Sequence, residues 1–230
     1  MKFNNDHPPN ILNINQENVL IGSLLGDGHL SLDKRSKYPR LKIDRAIKDL
    51  DYLKYQFSYF KDLCKSNIKI FDRYDKRYNK SYTYCSFRTR AIPAFIKYYN
   101  EWYENKIRIV PKTLKLNPLI LSIWFSDDGC VIRQGLNSLT LKLSTENFSY
   151  DDILFLKKSL VNRFGVNFPI YKKGKGFIIK ASSKAAFLFL KEIQDFIKVN
   201  GMKRKYDIWK DYNLDVYPKI GRPKIINYEF

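Results

Sequence analysis

The chain has 230 residues, 44% of them hydrophobic, which is enough to bury the core of one large domain or two small ones. Lysine and arginine outnumber aspartate and glutamate by 42 to 23, and the resulting net charge of +19 is spread along the chain, which suits a polyanionic partner such as nucleic acid. Three cysteines without a C-x-x-C pair disfavour a disulfide scaffold or a structural zinc site, and no apolar run reaches the roughly 20 residues of a membrane span. We therefore expect an intracellular protein with no membrane partner.

The first half of the chain predicts the element order αββαββα. Residues 1–14 are polar and are interpreted as an N-terminal extension rather than a secretory signal. The apolar segment VLIGSLLGDG at residues 19–28 predicts a helix that Asn15 caps and Gly28 ends. The elements that follow are a hairpin (29–32 and 40–43), a helix (50–65), a second hairpin (68–73 and 82–88) and a last helix (92–104). We assign the first subdomain to residues 15–110.

The second half repeats this order. The segment LILSIWFSDDG at residues 119–129 predicts a helix, which Asn117 caps, with Pro118 at the first helical position and Gly129 as the stop. Two hairpins (130–133 with 139–143, and 167–172 with 176–181) alternate with two helices (150–164 and 184–199). We assign the second subdomain to residues 111–213 and a C-terminal tail to residues 214–230. The predicted fold class is therefore α+β, with two pseudo-symmetric αββαββα subdomains.

The two apolar segments share an Asp-Gly pair at their ends. Gly22 and Gly26 leave a flat stripe where a second helix can approach closely, so we expect the two segments to pair and to bring Asp27 and Asp128 together. Converging carboxylates repel each other unless a cation lies between them, and hard oxygen ligands suit Mg²⁺, with Mn²⁺ as an alternative. A single Asp-Gly after a helix is commonly only a turn. Its recurrence in two matched helices of a basic chain favours a metal site.

The segments LIGSLLGDG (20–28) and LSIWFSDDG (121–129) resemble the two signature helices of monomeric LAGLIDADG homing endonucleases. The resemblance extends from about residue 15 to about residue 211. It implies paired central helices, antiparallel four-stranded sheets that form a saddle over double-stranded DNA, a monomer, and divalent-metal dependence. It also implies cleavage of both strands across the minor groove, leaving short 3′ overhangs. The metal-binding acid of that family occupies the eighth motif position, which matches Asp27 and Asp128.

The second motif departs from the first. It has Ile123 and Asp127 where the first has Gly22 and Gly26, so Asp127 competes with its neighbour for the catalytic role. We favour Asp128 because it directly precedes a glycine, as Asp27 does, and we expect Asp127 to cap or tune the site.

The family also places one basic residue per half near the cleavage centre. Arg108 matches this position in the first half because it lies three residues before Pro111, and Lys205 matches it in the second because it lies three residues after Met202. Such a cation would stabilise charge that develops on a phosphate. A solvated loop position is the alternative for each of them.

The strands supply the candidates for reading DNA. A sheet in the major groove contacts bases with every second side chain of a strand. The candidates are His29, Ser31, Arg40, Lys42, Asp44, Arg73, Arg88 and Arg90 in the first half, and Arg133, Lys142, Lys172 and Lys180 in the second. The turns at residues 34–37 and 75–80 are expected to contact phosphates and fix the register.

Two other functions fit the same scaffold. One is an RNA maturase that assists the splicing of its own intron, with that RNA as partner, and the other is a DNA-binding repressor that has lost catalysis. Retention of both Asp27 and Asp128 favours cleavage and leaves a dual role open. An organellar, bacterial or phage origin is equally open.

Overall fold

The computed structural model describes residues 9–133, 138–196, 199 and 202–206, without the side chains of residues 133, 203 and 206. The first half contains α1 (Ile14–Leu25), β1 (His29–Ser31), β2 (Arg40–Ala46), α2 (Leu50–Phe60), β3 (Lys69–Asp75), β4 (Lys80–Arg88) and α3 (Phe95–Trp102). A short ribbon of β5 (Tyr103–Glu104) and β6 (Ile107–Arg108) leads into the second half. That half contains α4 (Pro118–Asp128), β7 (Gly129–Arg133), β8 (Leu139–Leu143), α5 (Tyr150–Phe164), β9 (Ile170–Lys173), β10 (Gly176–Ala181), α6 (Ser183–Ile193) and the short α7 (Lys203–Tyr206).

The two halves have the same sheet topology. Each builds an antiparallel four-stranded sheet, in the order β1-β2-β4-β3 for the first half and β7-β8-β10-β9 for the second. The α+β class and the repeated αββαββα order are thereby confirmed. Among the described residues, no helix is both long enough and apolar enough to cross a membrane.

Local interactions correct both predicted ends of α1. The helix is capped by Asn13 and not by Asn15, because Asn13 has a glutamine three residues later. The Asn13 side chain accepts from the backbone N–H of Gln16, and the Gln16 side chain accepts from the backbone N–H of Asn13, so two otherwise unpaired donors are satisfied. The helix ends at Leu25 with Gly26 as its cap, so Gly28 lies in the turn beyond it.

The last helix of each half is shorter than predicted. In the first half, Pro93 disfavours helical backbone at the preceding residue, and α3 begins only at Phe95. Its end is set by the β5-β6 ribbon, whose turn places Asn105 (φ 50°) and Lys106 (φ 67°) in the left-handed region. The sequence did not predict this ribbon. In the second half, α6 ends at Ile193 instead of residue 199.

Helices α1 and α4 pack against each other as the glycine stripe predicts. A Cβ atom on Gly22 would lie 2.6 Å from the Cβ of Ile123, and one on Gly26 would lie 2.3 Å from the Cβ of Asp127. Either distance is a clash, so only glycine permits this approach. The stripe exists on α1 alone, and its glycines face the two larger residues of α4.

The core lies between these helices and the inner faces of both sheets. Residues 119–126 of α4 are all buried, because that helix is covered by α1 on one side and α6 on another. Along β2, the side chains of Leu41, Ile43 and Arg45 point inward, alternating with partly exposed ones. An arginine on the apolar side of a strand is the exception in this pattern.

Candidate active site and nucleic-acid interface

Three carboxylates meet where α1 and α4 end. Asp27 follows the C-terminal cap of α1, and Asp127 and Asp128 are the last two residues of α4. The backbone N–H of Asp27 donates to Oδ2 of Asp127 at 3.0 Å, which ties the two halves together. The structure therefore brings together the acids that the paired motifs predict.

Asp127 is fully committed to protein contacts. Its side chain has no exposed area. Oδ2 accepts from Asp27, and Oδ1 accepts from the Tyr52 hydroxyl at 2.8 Å and from Nη2 of Arg45 at 2.5 Å. These contacts leave little of the carboxylate for a cation, which agrees with the expectation that Asp127 tunes the site from nearby.

Arg45 supplies positive charge to two of these acids, Asp27 and Asp127. It is not among the site residues that the sequence predicted. Its side chain is 4% exposed. Nη1 donates to Oδ2 of Asp27 at 3.0 Å, Nε donates to Oε1 of Gln56 at 2.9 Å, and the guanidinium lies 4.4 Å from the centre of the Tyr52 ring. The available signal was the inward position of an arginine in the alternating strand β2.

Arg45 and Asp127 form a buried ion pair. Burial opposes charge on Arg45, but Asp127 and Asp27 raise its pKa above the ordinary value. Burial raises the pKa of Asp127, and Arg45 opposes that shift. A charged pair in this position depends on each partner for compensation.

Asp128 is compensated much less. Burial, and then repulsion from Asp27 and Asp127, raises the pKa of Asp128 to about 7. Within the described ranges its carboxylate has no salt-bridge partner. A carboxylate that is repelled by like charges attracts a cation.

The residues present fit a divalent cation of the Mg²⁺ type. Asp27 has a side chain that is 49% exposed, and Asp128 provides a second carboxylate near it, for which the described residues supply no salt-bridge partner. The described residues contain no group of three or more His, Cys, Asp or Glu side chains that could enclose a metal. Mg²⁺ needs only one or two carboxylates when water and substrate phosphates supply its other ligands, so two acids suffice.

The two predicted basic residues lie at the ends of the paired helices. Nη1 of Arg108 donates to the carbonyls of Gly26 and Gly28 at 2.9 and 3.1 Å. Nζ of Lys205 donates to the carbonyls of Ser126 and Asp127 at 2.6 and 3.1 Å. Each cation therefore neutralises the negative end of one helix dipole, and each also lowers the pKa of the nearby Asp128.

The outer face of the first sheet gathers most of the predicted DNA-reading residues. The pairs His29–Lys42, Ser31–Arg40 and Lys42–Arg88 face each other across neighbouring strands. Burial, and then the charge of Lys42, lowers the pKa of His29 below its ordinary value. Asp44 and Arg73 also lie on this face, where Asp44 is ion-paired to Lys42 at 2.6 Å and to Arg73 at 3.7 Å.

One predicted residue of this half is outside the strands. Arg90 follows the end of β4, and its Nη2 donates to the carbonyl of Asp62 at 3.2 Å. It nevertheless lines a basic groove of about 770 Å³ beside the sheet. The other cationic residues that line this groove are Arg40, Lys42, Lys65, Lys69 and Arg88.

Alternation along β3 and β4 adds residues that the candidate list omitted. Lys69 pairs with Ser86, and Phe71 pairs with Tyr84, so they share the outer face with Arg73. The Arg73 guanidinium lies 4.8 Å from the centre of the Tyr84 ring. The period-two pattern could have identified Lys69, because it lies four residues before Arg73 on the same strand.

The second sheet requires one correction. Lys142 pairs with Lys180 on the outer face, as predicted. Lys172, however, pairs with Phe177, whose ring packs against the core and against Tyr150, so the register places Lys172 on the helix-facing side. Arg133 pairs with Leu139, and its side chain lies outside the described part of the structure.

Comparison with known proteins identifies the family. The sequence profile of the LAGLIDADG DNA endonuclease family matches residues 17–189, which is most of the chain. This chain belongs to that family. The match includes α1 and α4, at whose ends Asp27, Asp127 and Asp128 lie.

Relatives within the family include both endonucleases and a maturase. The cytochrome b mRNA maturase bI2 of Saccharomyces cerevisiae is 31% identical over 216 residues, which is 88% of this chain and 49% of that protein. The DNA endonuclease I-ChuI of Chlamydomonas applanata is 25% identical over 169 residues, covering 69% of this chain and 77% of the relative. The homing endonuclease I-WcaI bound to its DNA recognition sequence has a TM-score of 0.78 at 25% identity, covering 85% of this chain and 87% of that one. The chain thus spans about half the length of the yeast maturase.

Proposed function

We propose that this protein is a site-specific homing endonuclease that cuts both strands of a long DNA target in a reaction that depends on a divalent cation. The proposal is carried by one observation. The half-exposed Asp27 and Asp128, whose pKa is raised by burial and by the neighbouring acids, converge at the ends of two helices whose pseudo-symmetry matches that of the two DNA backbones. The membership of the LAGLIDADG DNA endonuclease family supports it.

In this proposal each of the two motif acids binds a divalent cation, which is Mg²⁺ or, alternatively, Mn²⁺. The bound cation supplies Lewis-acid stabilisation of the charge that develops on the phosphate oxygens. Asp27 and Asp128 each serve one DNA strand, so one phosphodiester is hydrolysed per strand. Arg108 and Lys205 keep positive charge at the helix ends and oppose the repulsion between the acids.

The sheets position the DNA. Their outer faces lie in the major groove as a saddle, with the minor groove over the acids, so that cleavage across it leaves short 3′ overhangs. The basic groove of the first sheet and the Lys142–Lys180 pair of the second contact phosphates or base edges. The protein is a monomer in this proposal, because one chain already supplies both halves.

Selection of cleaved sites from a random DNA library with Mg²⁺, repeated with Mn²⁺, tests the proposal. We expect one long enriched site. Asp27→Asn and Asp128→Asn should each abolish double-strand cleavage of that site and leave specific binding largely intact. Asp51→Asn, at an acid whose side chain is 63% exposed, is the matched control and should cut normally. Full cutting by Asp128→Asn, with loss only in Asp127→Asn, would overturn the assignment of the second acid.

A second candidate function is favoured by one specific relative. The similarity to the cytochrome b mRNA maturase bI2 supports a role as an RNA-binding splicing cofactor on the same scaffold. Incubation with intron-bearing RNA and with intronless target DNA distinguishes the two. Accelerated splicing without cleavage of any selected DNA favours the maturase, and both activities together establish a dual role.

A further inference from the structure

The two halves of the site have different residues at equivalent positions. His29 pairs with Lys42 in the first sheet as Cys130 pairs with Lys142 in the second. The first residue of each pair lies two positions after its motif acid. Three residues after Lys42 on β2 is Arg45. The equivalent position in the second half is Thr145, which cannot carry charge.

The residues around Arg45 differ in the same way. Counting from the N-caps of α2 and α5, Gln56 of the first half corresponds to Leu156 of the second. Asp127 of the second motif corresponds to Gly26 of the first. The described structure therefore places a buried guanidinium, with its acceptor and its partner acid, on the Asp27 side alone.

Arg45 is held so that it cannot release Asp27 easily. Its guanidinium is buried, and its three nitrogens donate to Asp27, Asp127 and Gln56. The Gln56 amide is anchored in turn, because its Nε2 donates to Oγ of Ser23 at 3.1 Å. Moving Arg45 would leave the buried Asp127 carboxylate without its cation and Oε1 of Gln56 without this donor, which is costly.

The consequence is an inequality between the two acids. Oδ2 of Asp27 is bound to Arg45 at 3.0 Å, so a cation can use mainly its other oxygen and meets a carboxylate that is already partly neutralised. Asp128 has no such partner in the described part of the chain. Other things being equal, a cation is attracted more strongly to the carboxylate that has no direct ion-pair partner.

We propose that Arg45 is a positioning residue that lowers the affinity of Asp27 for a divalent cation, so that cation binds first at Asp128 and the two DNA strands are cut at different cation concentrations. The inference rests on the proposed function for its consequence in cleavage. The difference in cation affinity is a property of the protein alone and is measured without DNA.

Mn²⁺ binding to the DNA-free protein provides that measurement. The electron paramagnetic resonance signal reports how much Mn²⁺ stays free. We expect two classes of binding whose dissociation constants differ by about three- to fivefold, which is the upper part of the range that a partly exposed ion pair contributes. Asp128→Asn should remove the tighter class and Asp27→Asn the weaker one. A single class in the wild-type protein, or the opposite assignment, would overturn the inference.

Neutralising the pair isolates the role of Arg45. The double variant Arg45→Gln/Asp127→Asn keeps the net charge, and we expect it to bring the two dissociation constants within about twofold. The matched control is Arg163→Gln/Glu192→Gln, which removes an ion pair between α5 and α6 away from the acids and should leave the two classes unchanged.

Arg45→Lys provides a second test that does not depend on the folding of the double variant. Lysine keeps the charge but lacks the fork that reaches three partners, so we expect an intermediate separation. Two classes that remain fully separated in both Arg45 variants would contradict the proposal.

Strand-resolved cleavage separates this inference from the proposed function. With each strand of the selected target labelled at its end, nicking of one strand should reach half-maximal rate at a several-fold lower Mn²⁺ concentration than nicking of the other. The double variant should remove the difference. If the nicking rates of both strands depend equally on the Mn²⁺ concentration, the inference is overturned and the endonuclease proposal stays intact. Two classes of Mn²⁺ binding without cleavage of any DNA would instead contradict the endonuclease proposal.

Discussion

Arg45→Gln should destabilise the fold severely, although the residue lies beside a site and not in the middle of the apolar core. The substitution removes the ion-pair partner of Asp127, whose side chain has no exposed area. It also removes the donor to Gln56. The remaining carboxylate keeps the Tyr52 hydroxyl and one backbone N–H as donors, but no positive charge within ion-pairing distance among the described residues.

The magnitude follows from breaking a buried ion pair by removing one partner. Such changes cost about 3–5 kcal/mol, because an uncompensated charge stays buried. For a chain of this length, that corresponds to a fall in Tm of roughly 6–20 °C. Removing both charges in Arg45→Gln/Asp127→Asn should cost much less, about 1–2 kcal/mol, since neutral amides can bond to each other and to Tyr52.

Urea unfolding of the wild type, both single variants and the double variant, at constant pH with EDTA, measures the coupling between the two residues. We expect each single variant to lose more free energy of unfolding than the double variant does. A loss of unfolding free energy below about 1 kcal/mol for Arg45→Gln would refute the view that the pair is buried and mutually dependent. So would a loss in the double variant that equals the sum of the losses in the two single variants.

Three further predictions concern pH, helix packing and DNA contact. The pKa of Asp128 is raised from about 3.8 to about 7 in the folded protein, so the metal-free fold binds a proton more tightly than the unfolded chain. Its free energy of unfolding should therefore fall by up to about 4 kcal/mol as the pH rises from 4 to 7. Urea titrations in EDTA should show a much weaker fall for Asp128→Asn. An equal fall in the variant and the wild type would refute this explanation. Gly22→Ala and Gly26→Ala should lower Tm, because each Cβ clashes with α4, whereas the same change at an unhindered helical glycine raises it; an unchanged Tm would refute the close packing. Lys69→Ala should weaken DNA binding and reduce the slope of log K against log salt by about one unit, while Lys172→Ala, on the helix-facing side, should change neither in a fluorescence anisotropy titration.

The element order was predictable because it depends on local patterns that the chain repeats. The alternation in residues 40–43 and 139–143, and the apolar helices that end in Asp-Gly, are visible in the sequence and recur in the structure as β2, β8, α1 and α4. The exact ends were less predictable. Gln16 selects Asn13 as the cap of α1, and the turn at Asn105 and Lys106 diverts the chain into a ribbon that no period indicates.

The candidate site was predictable only where one residue type implies its own chemistry. Paired Asp-Gly ends point to a cation, so the sequence predicts Asp27 and Asp128, and the structure places them near each other. The sequence gives no comparable indication that Arg45 contacts Asp27 and Asp127, because Arg45 is brought there by the pairing of β2 with β4 and the packing of α2, which are long-range interactions. Lys172 was misplaced for a related reason. The face of an edge strand depends on its register with the neighbouring strand, and a shift of one residue reverses it.

Arg45 explains how the second motif accommodates Asp127, an acid, at a position of the helix contact where the first motif has Gly26. A charged residue in place of a small one at the helix contact would ordinarily disrupt close packing, since a buried carboxylate needs both space and compensation. Gly26 provides the space, because it has no Cβ to meet Asp127. Arg45 provides the charge, and Tyr52 supplies a further donor. The Arg45 guanidinium also reaches Asp27 in the other motif, so the arginine that compensates the irregular Asp127 contacts one of the two motif acids and not the other.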